Sequence, residues 1–427
     1  MSSMRFKSVD SKVLEHQIER RGFVSVPLDW QVPAGERIAL FYRMIPALGP
    51  EPWDPKLPVV VVINGGPGVP SHFYRPLDYD YTTHTNPGGG LDRFRHLLRT
   101  HRVLIVDQRG TDGCSAPIDM DDPELDPALV ARYFSSDSHA RDYLAVIDAL
   151  IPAGEPFFVI AQSYGGMPGM QLIALGGRMP AGIVFSSSAL PHEDPLAEAL
   201  SRRREQLSLN RHLREVVPDI EERLANTRAH YTEVGLDPTL IHGLYALLGK
   251  DVVGVWEPAL VKRLDKILSQ TREQILADVE AGLEGPSLLN YILSSVNFSP
   301  GDTDRTLAAR CAREIPFEPW MIDETVMIMQ TGQDGTWRQH LIERFDAAPP
   351  PGTPFPSMDE LRAALGRTRA LFTAADNDAF VPAASYLGNA ARFHVPGHTE
   401  VRTLPGGHHA IFLEAGYEAF LDWSRRS

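Results

Sequence analysis

Short apolar runs alternate with amphipathic stretches along the first 190 residues of the chain. Four of these runs are almost continuously apolar, which is typical of strands that are covered by helices on both faces of a sheet. They lie at residues 57–63, 102–107, 156–161 and 182–186. Between them, apolar residues recur at spacings of three and four, which predicts helices over 91–99, 140–150 and 166–175. The alternation predicts an α/β fold with a mostly parallel sheet flanked by helices.

The two ends of the chain add further elements to this pattern. Residues 22–27 and 37–44 are expected to form an antiparallel pair of strands before the first buried run. Strand patterns return at residues 369–374 and 400–404, and residues 411–426 have the pattern of an amphipathic helix. The last part of the chain is therefore expected to rejoin the same sheet.

The middle of the chain has a different pattern. From about residue 191 to 365 it contains several amphipathic helical patterns, beginning with a charge-rich one over 202–228, and no strong strand run. A single hydrophobic core stops growing at about 250–300 residues, and the chain has 427. The predicted organisation is a core in two parts, residues 1–190 and 366–427, with an inserted all-helical cap over residues 191–365.

Composition and charge exclude several classes of function. The 41 Lys and Arg residues against 55 Asp and Glu residues give a net charge of −14, which repels nucleic acid and anionic membranes. The two cysteines, Cys114 and Cys311, fit neither a disulfide framework nor a metal site. The first residues lack the apolar region of a leader and no apolar run is long enough to span a membrane, so a cytoplasmic protein is expected. The chemistry predicted below implies no metal or organic cofactor. The oligomeric state stays open.

A serine between small residues is the first candidate for chemistry. Residues 161–166 read Ala-Gln-Ser-Tyr-Gly-Gly, and they follow a predicted strand and open a predicted helix. A sharp turn of this kind lifts the hydroxyl of Ser163 to the helix N-terminus, where the helix dipole favours a developing negative charge. By itself, such a serine is more often a simple helix N-cap.

A glycine-rich loop strengthens the case for a nucleophile. Residues 64–68 read Asn-Gly-Gly-Pro-Gly directly after the strand at 57–63, where backbone N–H groups could hold an oxyanion near Ser163. The alternatives are a tight turn or a dinucleotide loop. Pro67 and Pro70 disfavour the dinucleotide loop, because they prevent a helix from starting where phosphate binding needs one.

An acid and a base follow two later strands. Asp378 and His408 each come just after a predicted strand, so both should lie at the same sheet edge as Ser163. The chain order serine, aspartate, histidine is that of a hydrolase triad. Asp376 is the rival acid and His409 is the rival base.

Three motifs together resemble the proline iminopeptidases of the α/β-hydrolase fold, in their longer-chain branch. They are the loop at 64–68, the segment Asp-Gln-Arg-Gly-Thr-Asp-Gly-Cys-Ser at 107–115, and the turn at 161–166. The resemblance implies an α/β-hydrolase fold with an inserted helical cap. In that fold, the arginine and aspartate of the segment at 107–115 are expected to brace the loop that holds the oxyanion. The family's cap carries a glutamate that recognises a substrate amine, and Glu324 corresponds to it here.

The function predicted from these residues is a serine aminopeptidase that releases proline or another small apolar residue from short peptides. Ser163 would be the nucleophile, with His408 as base and Asp378 orienting it. The backbone N–H groups of Gly66 and Tyr164 would form the oxyanion hole. Gly65 and Glu324 are the candidate substrate contacts. Two alternatives remain: an esterase or amidase acting on a small aminoacylated metabolite, and a ligand-binding module that does no catalysis.

Overall fold

The structure is a computed structural model of the chain. It describes residues 19–66, 94–110, 126–191, 194–280, 304–316, 318–330, 343 and 355–426. All of the catalytic and binding residues predicted above lie within these ranges. Residues 67–68 of the glycine-rich loop and residues 111–115 of the second motif lie outside them.

One eight-stranded sheet forms the centre of the fold. Its strands are β1 Arg20–Pro27, β2 Arg37–Ile45, β3 Val59–Ile63, β4 Arg102–Val106, β5 Phe157–Gln162, β6 Gly182–Ser186, β7 Arg369–Ala375 and β8 Thr399–Leu404. The strand order is β1-β2-β4-β3-β5-β6-β7-β8. The pairings of β2 with β1 and with β4 are antiparallel, and the other pairings are parallel. This arrangement confirms the α/β class and the opening antiparallel pair.

Burial explains why the four apolar runs became the central strands. Every residue of β3, β4, β5 and β6 is buried, which fits strands that carry helices on both faces. Even Arg102 is buried, since its guanidinium donates hydrogen bonds to the backbone oxygen of Leu57. The strands begin and end within two residues of the positions predicted from the sequence.

Helices occupy the connections between strands. They are α1 Pro127–Tyr133, α2 Ser136–Leu150, α3 Gly166–Leu175, α4 Pro195–Val216, α5 Ile220–Glu233, α6 Trp256–Ile267, α7 Arg272–Glu280, α8 Asp304–Glu314, α9 Glu324–Gln330, α10 Met358–Leu365, α11 Ala383–Ala391 and α12 Glu414–Ser424. Short 3₁₀ turns add Leu97–Arg99, Ser163–Gly165, Pro238–Leu247 and Ala410–Phe412.

Three of the predicted helices differ from the observed ones. The helix expected over 91–99 is, in its described part, only 3₁₀ turns such as Leu97–Arg99. The helix expected over 202–228 is two helices, α4 and α5, because the residue before Pro218 is disfavoured in helical conformation. At the end of the chain, extended backbone at Leu413 separates a 3₁₀ turn from α12.

The described residues between 194 and 365 contain helices and no strand. We call them the helical segment. Residues between 209 and 322 have an apolar cluster of their own, which includes Leu209, Leu244 and Trp256. The last helix of the segment, α10, instead packs into one of the two clusters that cover the sheet. Ala379, in the loop after β7, belongs to the cluster of the helical segment. The helical segment therefore packs against the loop that carries Asp378. The exact limits of the predicted cap stay a prediction.

In the part of the chain that the structure describes, every helix is too short or too polar to cross a lipid bilayer.

Three buried histidines should make the folded state less stable at acidic pH. Burial lowers the pKa of His101 and His242 to about 4 and that of His139 to about 3. Each folded-state pKa lies below the unfolded value of 6.5, so protonation favours the unfolded chain. Stability is fully present above pH 6.5 and falls below it, by about 2 kcal/mol per histidine at pH 5.

Urea unfolding at a series of pH values measures this effect. We expect the free energy of unfolding to fall steeply between pH 6.5 and 5. The matched variant His101→Phe should show a shallower fall. An unchanged stability across this range would contradict the burial of neutral imidazoles.

Candidate active site

Ser163 lies at a sharp turn between β5 and α3. Its φ angle is 56°, in the left-handed region that side chains other than glycine rarely adopt. Such a strained conformation persists only where the surrounding structure holds it, and it clusters at functional sites. The side chain of Ser163 is partly exposed, whereas its neighbours Gln162 and Tyr164 are buried. The turn therefore presents one hydroxyl and hides the residues on either side.

The small residues around Ser163 allow the turn to pack closely on the sheet. A methyl group on Gly165 would overlap the backbone oxygen of Ile63 at the end of β3. Ala161 occupies the first position of the turn, where the common nucleophile motif Gly-x-Ser-x-Gly has glycine. Space for its methyl group comes from Gly169 in α3, where an added Cβ would lie 2.9 Å from the Cβ of Ala161. The turn thus tolerates alanine at 161.

His408 and Asp378 form a buried pair. His408 Nδ1 lies 3.0 Å from Asp378 Oδ1 and 2.9 Å from Oδ2. Asp378 is 1% exposed and His408 is 6% exposed. Oδ1 of Asp378 also accepts hydrogen bonds from the backbone N–H groups of Phe380 at 2.8 Å and Val381 at 3.0 Å. These bonds hold the carboxylate in place. Among the described residues, no hydrogen bond joins Nε2 of the imidazole to Ser163 Oγ, so that expected contact stays a prediction.

The two rival residues have other positions. Asp376 is exposed, and its Oδ1 accepts a hydrogen bond from the backbone N–H of Gly406 at 2.8 Å. This contact braces the turn after β8. His409 lies with its ring centroid 5.3 Å from that of His408 and is half-buried. The contacts of Asp378 with His408 are therefore the ones suited to orient a base.

Gln162 joins the histidine loop to the serine turn. Its Nε2 donates a hydrogen bond of 3.0 Å to the backbone oxygen of His408. Gln162 is buried and directly precedes Ser163. The two loops are 246 residues apart in the sequence. Reasoning from the sequence missed this contact, since nothing local to Gln162 indicates a partner so distant.

The glycine-rich loop packs directly against the serine. A Cβ on Gly65 would overlap that of Ser163 and lie 3.0 Å from Ser163 Oγ, so only glycine fits there. Gly66 has a φ of 66°. The backbone oxygen of Asn64 accepts a hydrogen bond from Gln108 Nε2 at 3.2 Å. Gly65 is thus held at the edge of the sheet beside the hydroxyl, and Gly66 is the next residue of the loop.

The expected bracing of this loop comes from Gln108 and not from its neighbour Arg109. Arg109 instead donates to both carboxylate oxygens of Asp142 at 2.6 Å, and to the backbone oxygens of Pro27 and Tyr133. It therefore ties the end of β1 to helices α1 and α2. A planar guanidinium with several donors suits this role.

A turn of the helical segment contacts both loops of the acid-base pair. An added Cβ on Gly407 would overlap the backbone of Gly249 and Lys250, and one on Gly249 would approach the backbone oxygen of Asn377. Gly407 directly precedes His408, and Asn377 directly precedes Asp378. The helical segment therefore borders the candidate site.

Glu324 is buried at the start of α9 and has partners from α4. Its Oε2 lies 3.1 Å from Arg202 Nε and accepts a hydrogen bond of 3.1 Å from Gln206 Nε2. Gln206 Nε2 also lies 3.5 Å from the backbone oxygen of Ala379, next to Asp378. Glu324 is thus linked through Gln206 to the loop of the candidate acid. Its charge is already paired with that of Arg202.

Glu205 is a carboxylate on α4 that reasoning from the sequence missed. Burial and the nearby charge of Asp378 raise its pKa. Within the described part of the chain, the carboxylate of Glu205 has no hydrogen bond or ion pair. Leu209, one helical turn further, approaches Gly249 beside Asn377, so this face of α4 points towards the loop after β7.

A model of the alpha/beta hydrolase family matches residues 59–316, which is more than half of the chain. The chain belongs to the alpha/beta hydrolase family. This match confirms the predicted α/β-hydrolase fold, and the more specific resemblance to the proline iminopeptidases stays a prediction. No curated protein sequence matches the chain.

Solved structures of several α/β-hydrolases are similar to the chain. A thermophilic esterase from Thermogutta terrifontis is 15% identical, with a TM-score of 0.43, and the match covers 95% of this chain and 98% of that one. The proline iminopeptidase of Mycobacterium smegmatis is 16% identical, with a TM-score of 0.41 and coverage of 95% and 97%.

Proposed function

We propose that this alpha/beta hydrolase is a serine aminopeptidase that removes proline or another small apolar residue from the N-terminus of short peptides. The observation that supports the proposal best is the hydrogen-bonded pair of His408 and Asp378, joined through Gln162 to the turn that carries Ser163. A nucleophile, a base and a group that orients the base are the three parts that serine hydrolysis requires.

The proposed reaction has two stages. Ser163 Oγ attacks the scissile carbonyl carbon while His408 Nε2 accepts the hydroxyl proton. The C–N bond of the substrate then breaks, and His408 returns the proton to the leaving amine. In the second stage, His408 Nε2 accepts a proton from water as the water oxygen bonds to the acyl carbon. The ester bond to Ser163 Oγ then breaks, and His408 returns the proton to that oxygen. Asp378 holds the imidazole by Nδ1 and stabilises the imidazolium that forms.

The negative charge on the tetrahedral intermediate needs donors. The backbone N–H groups of Gly66 and Tyr164 are the proposed oxyanion hole, since Gly66 follows the loop residue packed on Ser163 and Tyr164 begins the helix side of the turn. Gly65, against the hydroxyl, is the proposed contact for the reacting end of the substrate. Any side chain there would overlap the side chains of Ser163 and Gln162.

A free α-amine is positively charged near neutral pH, and burying it is costly without an anionic partner. We propose that Glu324 and Glu205 are the two carboxylates that receive it. Arg202 offsets the charge of Glu324, so Glu205 supplies the unbalanced negative charge on this face of α4. The substrate ammonium would bind between the helical segment and the loop of Asp378.

Aminoacyl chromogenic amides, the same amides with a blocked amine, and simple esters test this proposal together. We expect the enzyme to cleave the free-amine substrates best. Glu324→Gln and Glu205→Gln should each raise KM for free-amine substrates about tenfold, which corresponds to the loss of one charge-assisted hydrogen bond. Both variants should leave the hydrolysis of N-blocked esters unchanged.

The matched control is Glu257→Gln in the same helical segment. Glu257 is buried but bonded to His212 and to the backbone N–H of Gly254, so its loss should affect stability and not the preference for a free amine. Equal losses on free and blocked substrates would assign Glu324 and Glu205 a structural role. Activity confined to N-blocked esters would favour an esterase, and no turnover of any substrate would favour a binding module.

A further inference from the structure

His139 and Tyr164 form a buried contact beside the serine turn. His139 Nδ1 lies 2.8 Å from the hydroxyl oxygen of Tyr164. Their rings meet edge to face, with centroids 5.9 Å apart and an interplanar angle of 90°. His139 is fully buried and Tyr164 is 2% exposed. The bond therefore joins the residue after Ser163 to helix α2.

Both groups are neutral at physiological pH. Burial, with a smaller contribution from the charge of Arg109, lowers the pKa of His139 to about 3. Burial also raises the pKa of the Tyr164 hydroxyl. A neutral imidazole accepts a hydrogen bond at one ring nitrogen and donates at the other. A buried hydrogen bond between neutral groups is directional and adds no charge next to the reacting serine.

Helix α2 is a rigid support for this bond. One turn beyond His139, Asp142 receives both hydrogen bonds from Arg109 and a third of 2.9 Å from Trp30 Nε1. Arg109 also binds the backbone oxygen of Pro27, at the end of β1. His139 is thus fixed to the frame of the sheet, independently of the helical segment.

We propose that His139 is a positioning residue that fixes the oxyanion hole by holding the side chain of Tyr164. The inference rests on the proposed function, because it assumes that the N–H of Tyr164 stabilises the intermediate. The peptide that carries this N–H follows Ser163, whose φ of 56° is strained. A side chain anchored immediately after the strained residue limits the movement of that peptide. Oxyanion-hole donors stabilise the intermediate effectively when the protein holds them in position before the reaction starts.

The test compares His139→Phe, Tyr164→Phe and the double variant. Each single change keeps an aromatic ring and removes one partner of the hydrogen bond. We expect kcat to fall about tenfold to a hundredfold with KM nearly unchanged, as for a small misplacement of a catalytic group. The double variant should be no slower than the slower single variant. His139→Asn, whose amide can occupy the place of Nδ1, should recover part of the rate.

The control is His101→Phe, since His101 is also a buried neutral histidine but packs against Phe158 and Phe420. It should lower stability without a selective fall in kcat. Two results would overturn the proposal. One is a loss of activity in the His139 variant that is explained entirely by a smaller folded fraction, as expected for the His101 variant. The other is a kcat of the double variant that falls by the product of the two single effects.

The rate at which a fluorophosphonate labels Ser163 gives a second readout that needs no substrate. A slower labelling rate in His139→Phe, with the fold retained, supports the proposal even where the peptide substrates prove wrong. An unchanged labelling rate would overturn it. The aminopeptidase proposal itself fails separately, when the wild-type enzyme does not cleave free-amine amides.

Discussion

Ser163→Ala is expected to lower kcat by about 10⁵-fold to 10⁶-fold, on the scale known for nucleophiles of serine hydrolases. The physical reason is that alanine keeps the Cβ that packs against Gly65 but removes the Oγ that would attack the carbonyl. The remaining rate would come from substrate binding and the oxyanion donors alone. Steady-state hydrolysis of the preferred substrate measures the effect, with the folded fraction checked by thermal unfolding.

The matched control is Ser187→Ala. Ser187 follows the neighbouring strand β6 and also has a positive φ, of 42°, so it shares the backbone strain of Ser163. It carries no proposed chemical role. We expect kcat of this variant to stay within a few-fold of that of the unchanged enzyme. A Ser163→Ala variant as active as Ser187→Ala would mean that another group attacks the substrate.

Asp378→Asn is expected to lower kcat by about 10⁴-fold while the fold is retained. An asparagine can still accept the backbone hydrogen bonds from Phe380 and Val381 through its amide oxygen. Its NH₂ group would then face His408 Nδ1, which favours the tautomer with the proton on Nε2. That nitrogen could no longer accept the proton of Ser163. The pH dependence of kcat reports the loss of the base.

Asp376→Asn is the matched control for Asp378→Asn, because it removes a carboxylate charge from the same loop. The two aspartates lie two residues apart, but Asp376 contacts the backbone of Gly406 and not the imidazole. Its replacement should change kcat only a few-fold. A large loss in Asp376→Asn together with a small loss in Asp378→Asn would reverse the assignment of the acid.

The strands could be predicted closely because their signal is local. Residues of β3 to β6 are apolar at nearly every position, and burial on both faces of a sheet requires that pattern. The turn at Ser163 was likewise visible as a strand, a set of small residues and a helix in succession. The ends of helices followed less closely from the apolar pattern. The helix expected over 202–228 is two helices, which are divided at Pro218.

Contacts across long distances in the sequence could not be predicted in the same way. Glu324 lies in an apolar stretch, so its burial was foreseeable, but its partners Arg202 and Gln206 belong to a helix more than a hundred residues earlier. The role proposed for Glu205 depends on its burial near Asp378, which the local sequence does not indicate. Asp376 and Asp378 both follow the end of β7, and the structure supports the choice of Asp378 made from the sequence, because Asp378 is the one that contacts His408. The catalytic roles of Ser163, Asp378 and His408 stay predictions.

Covalent labelling of Ser163 tests the central claim most directly. The purified protein is treated with a serine-directed fluorophosphonate, digested, and mapped by mass spectrometry while hydrolytic activity is followed. We predict that the label appears on the peptide containing Ser163, that activity is lost in parallel, and that Ser163→Ala takes up no label. A chelator should leave the activity unchanged. A label on another residue, or full activity after Ser163 is labelled, would contradict the assignment of Ser163 as the nucleophile.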